Sequence, residues 1–168
     1  MGLLTPAAVR VGSVPWLSKY LPQIVKVDEA IQWATGGNVD LLRIAGLPSV
    51  TMTIPGRKSG APRVTTVLAA PENDHPADGG DLSSSWLVAG SYFGGPKTPT
   101  WVYNLRAAST IDVERRGRHA RTAPAELDGD EYAEAWDLLE SVWPNFALYK
   151  KRTDRTIPVF RLTPVSGD

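Results

Sequence analysis

Two β-branched segments, Ser49 to Ile54 and Val64 to Ala69, flank the Gly/Pro-rich stretch Pro55 to Pro62. Side chains that fill a pleated surface on both sides of a turn-forming interruption predict a hairpin with a wide loop. Further strand-like stretches follow: Trp86 to Ala89 runs into Gly90, Thr110 to Arg115 and Arg118 to Ala125 flank Gly117, and Ile157 to Leu162 closes the chain. Five or six strands therefore outnumber the helices, without the regular helical crossovers that a parallel sheet needs. An antiparallel sheet curled into a barrel satisfies this pattern, because closure leaves no unpaired edge.

The helical signals are fewer. Trp16, Leu17, Tyr20, Leu21, Ile24, Val27 and Ile31 recur at helical spacing over residues 15–35, bent at Pro22 and ended by Gly36-Gly37-Asn38. Thr98-Pro99 reads as an N-cap followed by a first-turn proline, opening a short helix through Arg106. Asp128 with Glu131 resembles a capping box before the stripe Tyr132, Ala135, Trp136, Leu139 and Val142, which Pro144 stops. The expected fold is thus mainly β (α+β): an antiparallel barrel with an N-terminal helix and two further helices. Residues 1–45 are expected to form a helical extension packed on the barrel, residues 46–168 the barrel domain. Pro71 to Ser85 reads as an exposed polar excursion.

At 168 residues the chain suits one module, and its 18 basic and 18 acidic residues cancel, so any anion site must be local and nucleic acid is not an expected partner. The absence of cysteine excludes thiol nucleophiles, iron–sulfur clusters and thiolate zinc sites, and His75 and His119 cannot build a metal site alone. No apolar run reaches membrane-span length and no signal-like start is present, which predicts a cytoplasmic location.

Three constellations could carry chemistry. Gly56-Arg57-Lys58-Ser59-Gly60-Ala61-Pro62-Arg63 concentrates cations, a hydroxyl and glycines in one loop, able to hold a phosphate or carboxylate through converging backbone N–H groups and fixed charge; a decorated surface turn is the plain alternative. Gly90 to Thr98 nearly spells a phosphate-binding P-loop, but Pro96 before Lys97 removes an N–H the cradle needs, and no dinucleotide fingerprint follows any strand. Ser91 with His119 as a hydrolase pair rests on residue type alone. Beside this loop, Trp101 and Asn104 share a helix face and offer a flat surface and an amide to a planar ring, with core packing and turn support as their structural roles. Trp143, Phe146 and Tyr149 recur at intervals of three, a core-like spacing, with Tyr149 expected at a rim because Lys150, Lys151 and Arg152 follow it.

Four stretches in order resemble the deazaflavin-dependent nitroreductases and quinone reductases, actinobacterial enzymes that use coenzyme F420 in a split β-barrel. They are Thr53-Ile54-Pro55-Gly56-Arg57-Lys58-Ser59-Gly60-Ala61-Pro62-Arg63, Val88-Ala89-Gly90-Ser91, Lys97-Thr98-Pro99-Thr100-Trp101-Val102-Tyr103-Asn104-Leu105, and Tyr149-Lys150-Lys151-Arg152-Thr153-Asp154-Arg155-Thr156-Ile157-Pro158. The resemblance implies that Lys58, Ser59, Gly60 and Arg63, with Arg57, Pro62 and Thr65 beside them, hold the anionic coenzyme, and that Ala89 and Ser91 lie along its ring. Lys97, Trp101 and Asn104 match the family's second contact segment. Trp143, Phe146 and Tyr149 fall where the family's quinone reductases commonly have three tyrosines lining the acceptor pocket, and only Tyr149 keeps that identity. Losing two phenols removes proton donors, so a flat apolar acceptor such as a quinone or conjugated enone is expected ahead of a nitro compound. Tyr149, Ser91 or water would deliver the proton.

FMN in the same barrel is the alternative cofactor, and a non-enzymatic carrier of the coenzyme or of a lipid-soluble pigment the alternative role. Monomer and homodimer both stay open. The N-terminal helix could pack on the barrel, lid the pocket, mediate a dimer or touch a membrane surface. Its balanced polar side, with Lys19, Lys26, Asp28 and Glu29, favours packing or lid duty.

Overall fold

The computed structural model describes residues 46–72 and 82–165. The helix expected over residues 15–35, the extension 1–45 and most of the polar excursion lie outside the described residues. Six strands, β1 (Ser49–Pro55), β2 (Pro62–Pro71), β3 (Trp86–Ala89), β4 (Ile111–Arg115), β5 (Arg118–Glu126) and β6 (Val159–Pro164), close into an antiparallel barrel in the order β1-β2-β3-β6-β5-β4. The β1–β2 hairpin pairs Ser49 with Leu68 through Pro55 with Pro62, leaving residues 56–61 as the wide loop. β1 also pairs with β4, Met52 opposite Val113, and that pairing completes the barrel.

Alternation along β1 sorts its side chains. Val50, Met52 and Ile54 are buried while Thr51 and Thr53 are only half-buried, and Thr51 meets Thr66 hydroxyl to hydroxyl at 2.9 Å across the pair. β3 is buried on both faces, which is why it reads as a continuous apolar run. Trp86 and Val88 join Val50, Met52, Ile54 and Phe160 in one core cluster, while Leu87 and Ala89 join Val159 and the helices in a second. Burial of side chains of this size contributes about 1.5–3 kcal/mol each, so β3 fastens both cores to one strand. β4 and β5 are joined at Arg116-Gly117, whose φ values of 50° and 76° form a two-residue turn of the type that matches strand twist.

Among the described residues three α-helices accompany the barrel, α1 (Thr100–Ala107), α2 (Gly129–Val142) and α3 (Asn145–Arg152), where the sequence suggested two there. α3 escapes prediction because Pro144 both stops α2 and opens the next helix as its N-cap residue, φ −57°, a conformation that proline adopts without strain. In α1 the N-cap is Pro99 and not Thr98, its carbonyl accepting from the Val102 N–H at 3.1 Å. α2 starts after Asp128 as expected, but that carboxylate makes no cap bond, and Glu131 reaches Arg161 on β6 at 3.3 Å. The last strand lies two residues further on than expected.

Candidate functional site

The loop between β1 and β2 is a closed hydrogen-bonded turn. Gly56 N–H donates to Ala61 O at 2.8 Å, Gly56 O accepts from Ser59 N–H at 3.1 Å and Gly60 N–H at 2.7 Å, and Ala61 N–H donates to Ser59 Oγ at 3.3 Å. Gly60 sits at φ +67°, a left-handed conformation that needs glycine, with open space where a side chain would point. The amides of Gly56, Ser59, Gly60 and Ala61 are engaged inside the turn. That corrects the expectation that converging backbone N–H groups cradle an anion here. Any anion held here would have to be held by side-chain charge instead. Arg57, Lys58 and Arg63 are exposed, and neither Lys58 nor Arg63 has an ion-pair partner among the described residues.

α1 fixes where this loop stands. Asn104, 7% exposed, accepts from the Arg57 N–H through Oδ1 at 3.2 Å, tying the loop to a helix whose Val102 and Leu105 are rooted in the core. Turn support is thus what Asn104 visibly does. Trp101 is half-buried, its ring 6.3 Å from that of Phe160, so one side packs on the barrel. Tyr103, exposed on the same helix, carries Arg57 5.7 Å and Arg106 5.9 Å from its ring centroid, while Arg106 is itself paired with Glu126 at 2.6 Å. Lys97 is exposed, Ser91 and Thr65 are half-buried, and Pro62 stands exposed at the start of β2.

The second glycine-bearing loop is built in the opposite way. Tyr92, Phe93 and Gly94 have φ values of 46°, 55° and 75°, three consecutive left-handed residues of which only one is glycine. Such backbone costs on the order of 1–3 kcal/mol per non-glycine residue and persists only where its surroundings hold it. α3 is one such surrounding: a Cβ at Gly94 would stand 2.8 Å from Tyr149 Cα and 2.9 Å from Tyr149 O. Gly90 is equally close to its neighbours, a Cβ there falling 2.6 Å from Val102 and 3.0 Å from Pro158. Arg155 supplies the rest of the hold, donating to Gly90 O at 3.0 Å, Ser91 O at 2.8 Å and Gly95 O at 3.1 Å.

Trp143, Phe146 and Tyr149 come together beside this loop, all buried in the second core cluster. Tyr149 is 2% exposed, not at a rim, because α3 turns its ring inward while Lys150 and Lys151 face out. Its ring stands 5.7 Å from those of Phe93 and Phe146, and its hydroxyl oxygen accepts from Trp143 Nε1 at 3.1 Å. Burial pushes the phenol above its ordinary value, opposed by that hydrogen bond and by the nearby Arg152 charge. The side chain that sequence reasoning passed over is Arg155. It stood within the Tyr149–Pro158 stretch, but nothing local marks a residue whose partners lie some sixty positions earlier.

Known proteins similar to this chain include F420-dependent reductases. A family model described as F420H(2)-dependent quinone reductase matches residues 25–164. An F420H(2)-dependent quinone reductase of Mycobacterium tuberculosis is 29% identical over 155 residues, covering 88% of this chain and 95% of that protein. A solved F420-H2 dependent reductase superposes with a TM-score of 0.58 at 30% identity, covering 68% of this chain and 93% of its own. A structure described as a domain-swapped dimer superposes at 0.60 with 28% identity, over 88% of this chain and 96% of that one.

Proposed function

The chain belongs to the F420H(2)-dependent quinone reductase family, and from that premise we propose that it reduces a flat apolar acceptor, a quinone or a conjugated enone ahead of a nitro compound. When bound, the reduced deazaflavin supplies the hydride. Lys58 and Arg63, with Arg57 beside them, hold the coenzyme's anionic tail by charge, and Ser59, Gly60, Pro62 and Thr65 shape that contact. Ala89 and Ser91 border the ring, with Lys97, Trp101 and Asn104 on the second contact segment. The residues present suit such a group: exposed cations without carboxylate partners among the described residues stand on a loop whose backbone is already fixed, so little ordering accompanies binding.

Trp143, Phe146 and Tyr149 border the acceptor in this reading. Trp143 donates to the Tyr149 oxygen, which leaves the phenol's own proton to be given elsewhere, and burial keeps it protonated through the neutral range. Ser91 is the second hydroxyl able to pass a proton. The observation carrying the proposal is the pinned cationic turn. It predicts that the purified chain oxidises reduced F420 with a quinone and leaves reduced FMN untouched. Equal turnover with FMN would contradict the coenzyme assignment, and saturable coenzyme binding with no acceptor reduced would make the chain a carrier.

A further inference from the structure

Arg155 is a cation without a carboxylate. Its donors go to the carbonyls of Gly90, Ser91 and Gly95, and no ion pair to it is found among the described residues. Those carbonyls lie on either side of Tyr92, Phe93 and Gly94, the three left-handed residues, so one guanidinium holds both ends of the strained turn. Only a planar fork with several fixed donors can bridge carbonyls in this way; a lysine ammonium offers a single centre. Nη1 is buried with no hydrogen-bond acceptor among the described residues. Partial burial also lowers the guanidinium's pKa, opposed by the nearby Tyr103.

We infer that Arg155 is a positioning residue for the reaction: by clasping Gly90, Ser91 and Gly95 it sets the shape of the segment that borders the coenzyme ring. This rests on the reading of Ala89 and Ser91 as ring neighbours. None of the clasp's three hydrogen bonds reaches the cationic turn. It therefore governs how the ring is placed and leaves the grip on the tail to Lys58 and Arg63.

Arg155→Lys keeps the charge and loses the fork, and Arg155→Ala removes both. In the coenzyme-free full-length protein, hydrogen exchange of the amides in 91–95 should accelerate in both variants by about tenfold over the rest of the barrel. With saturating reduced coenzyme and a quinone, kcat of Arg155→Lys should fall by about tenfold or more while coenzyme affinity changes less than about threefold, because misplacement and not lost binding is at work. Millimolar guanidinium should restore part of the turnover of Arg155→Ala. If Arg155→Ala fails to fold, the lysine variant decides. Wild-type kcat in Arg155→Lys, or unchanged exchange at 91–95, would overturn the inference. A wild-type chain that never binds the coenzyme would instead sink the ring reading, with the exchange measurement still judging the clasp.

Discussion

The molecule carries two glycine-bearing loops that look alike in sequence and differ in how they are held. The loop at 56–61 stands in solvent, closes on its own amides and is tied to the protein by the Arg57 N–H to Asn104. The loop at 90–95 is wedged against α3, adopts left-handed backbone at two non-glycine residues and is clasped by a half-buried arginine. An exposed turn whose cations have no ion-pair partner among the described residues can attract an anion of varied shape but cannot define a ring's position. A loop with no freedom left can do the second and not the first. In the proposed reading, affinity and geometry would be divided between them.

Gly94→Ala should show the largest effect. It places a side chain at φ +75° and within 2.8–3.0 Å of Tyr149 backbone and Arg152 Cβ. Backbone strain and overpacking together predict a loss of about 3–5 kcal/mol and a melting point lower by roughly 10 °C. Gly60→Ala makes the same left-handed demand at φ +67°, but nothing lies within 4 Å of the added methyl. It should cost only about 1–2 kcal/mol. Equal losses in the two variants, measured by denaturant unfolding, would break the distinction between a packed loop and a free one.

A smaller effect concerns pH. Burial raises the pKa of the Tyr149 phenol above the ordinary tyrosine value of about 10. Above about pH 10 the unfolded chain loses a proton that the folded chain retains, so stability is full below that pH and declines as pH rises beyond it. Tyr149→Phe should flatten this alkaline decline. The half-buried Tyr132, raised by burial alone, accounts for part of what remains. An unaltered alkaline limb would mean that Tyr149 is not buried as described.

Local chemistry made much of this architecture legible. β3 is found at Trp86–Ala89 as expected because a fully buried strand is a plain apolar run ended by glycine, and the β4–β5 hairpin follows from Gly117. The third helix was not legible because Pro144 carries a stop signal and a start signal at once. At the site, the cations of 57, 58 and 63 were visible as charge, yet which amides were engaged depended on the turn's closure. The inward placement of Tyr149 was masked by the cations that follow it. Arg155 could not be read at all as a clasp, since its partners at Gly90, Ser91 and Gly95 meet it only through the barrel's fold.

The division of labour is tested most directly by titrating F420 into the wild-type chain and Lys58→Ala at low and raised ionic strength. Saturable wild-type binding that weakens with salt is expected, with Lys58→Ala binding about tenfold more weakly at low salt, showing a shallower salt dependence and melting at the same temperature. Identical, salt-insensitive affinities in the two proteins would contradict the account.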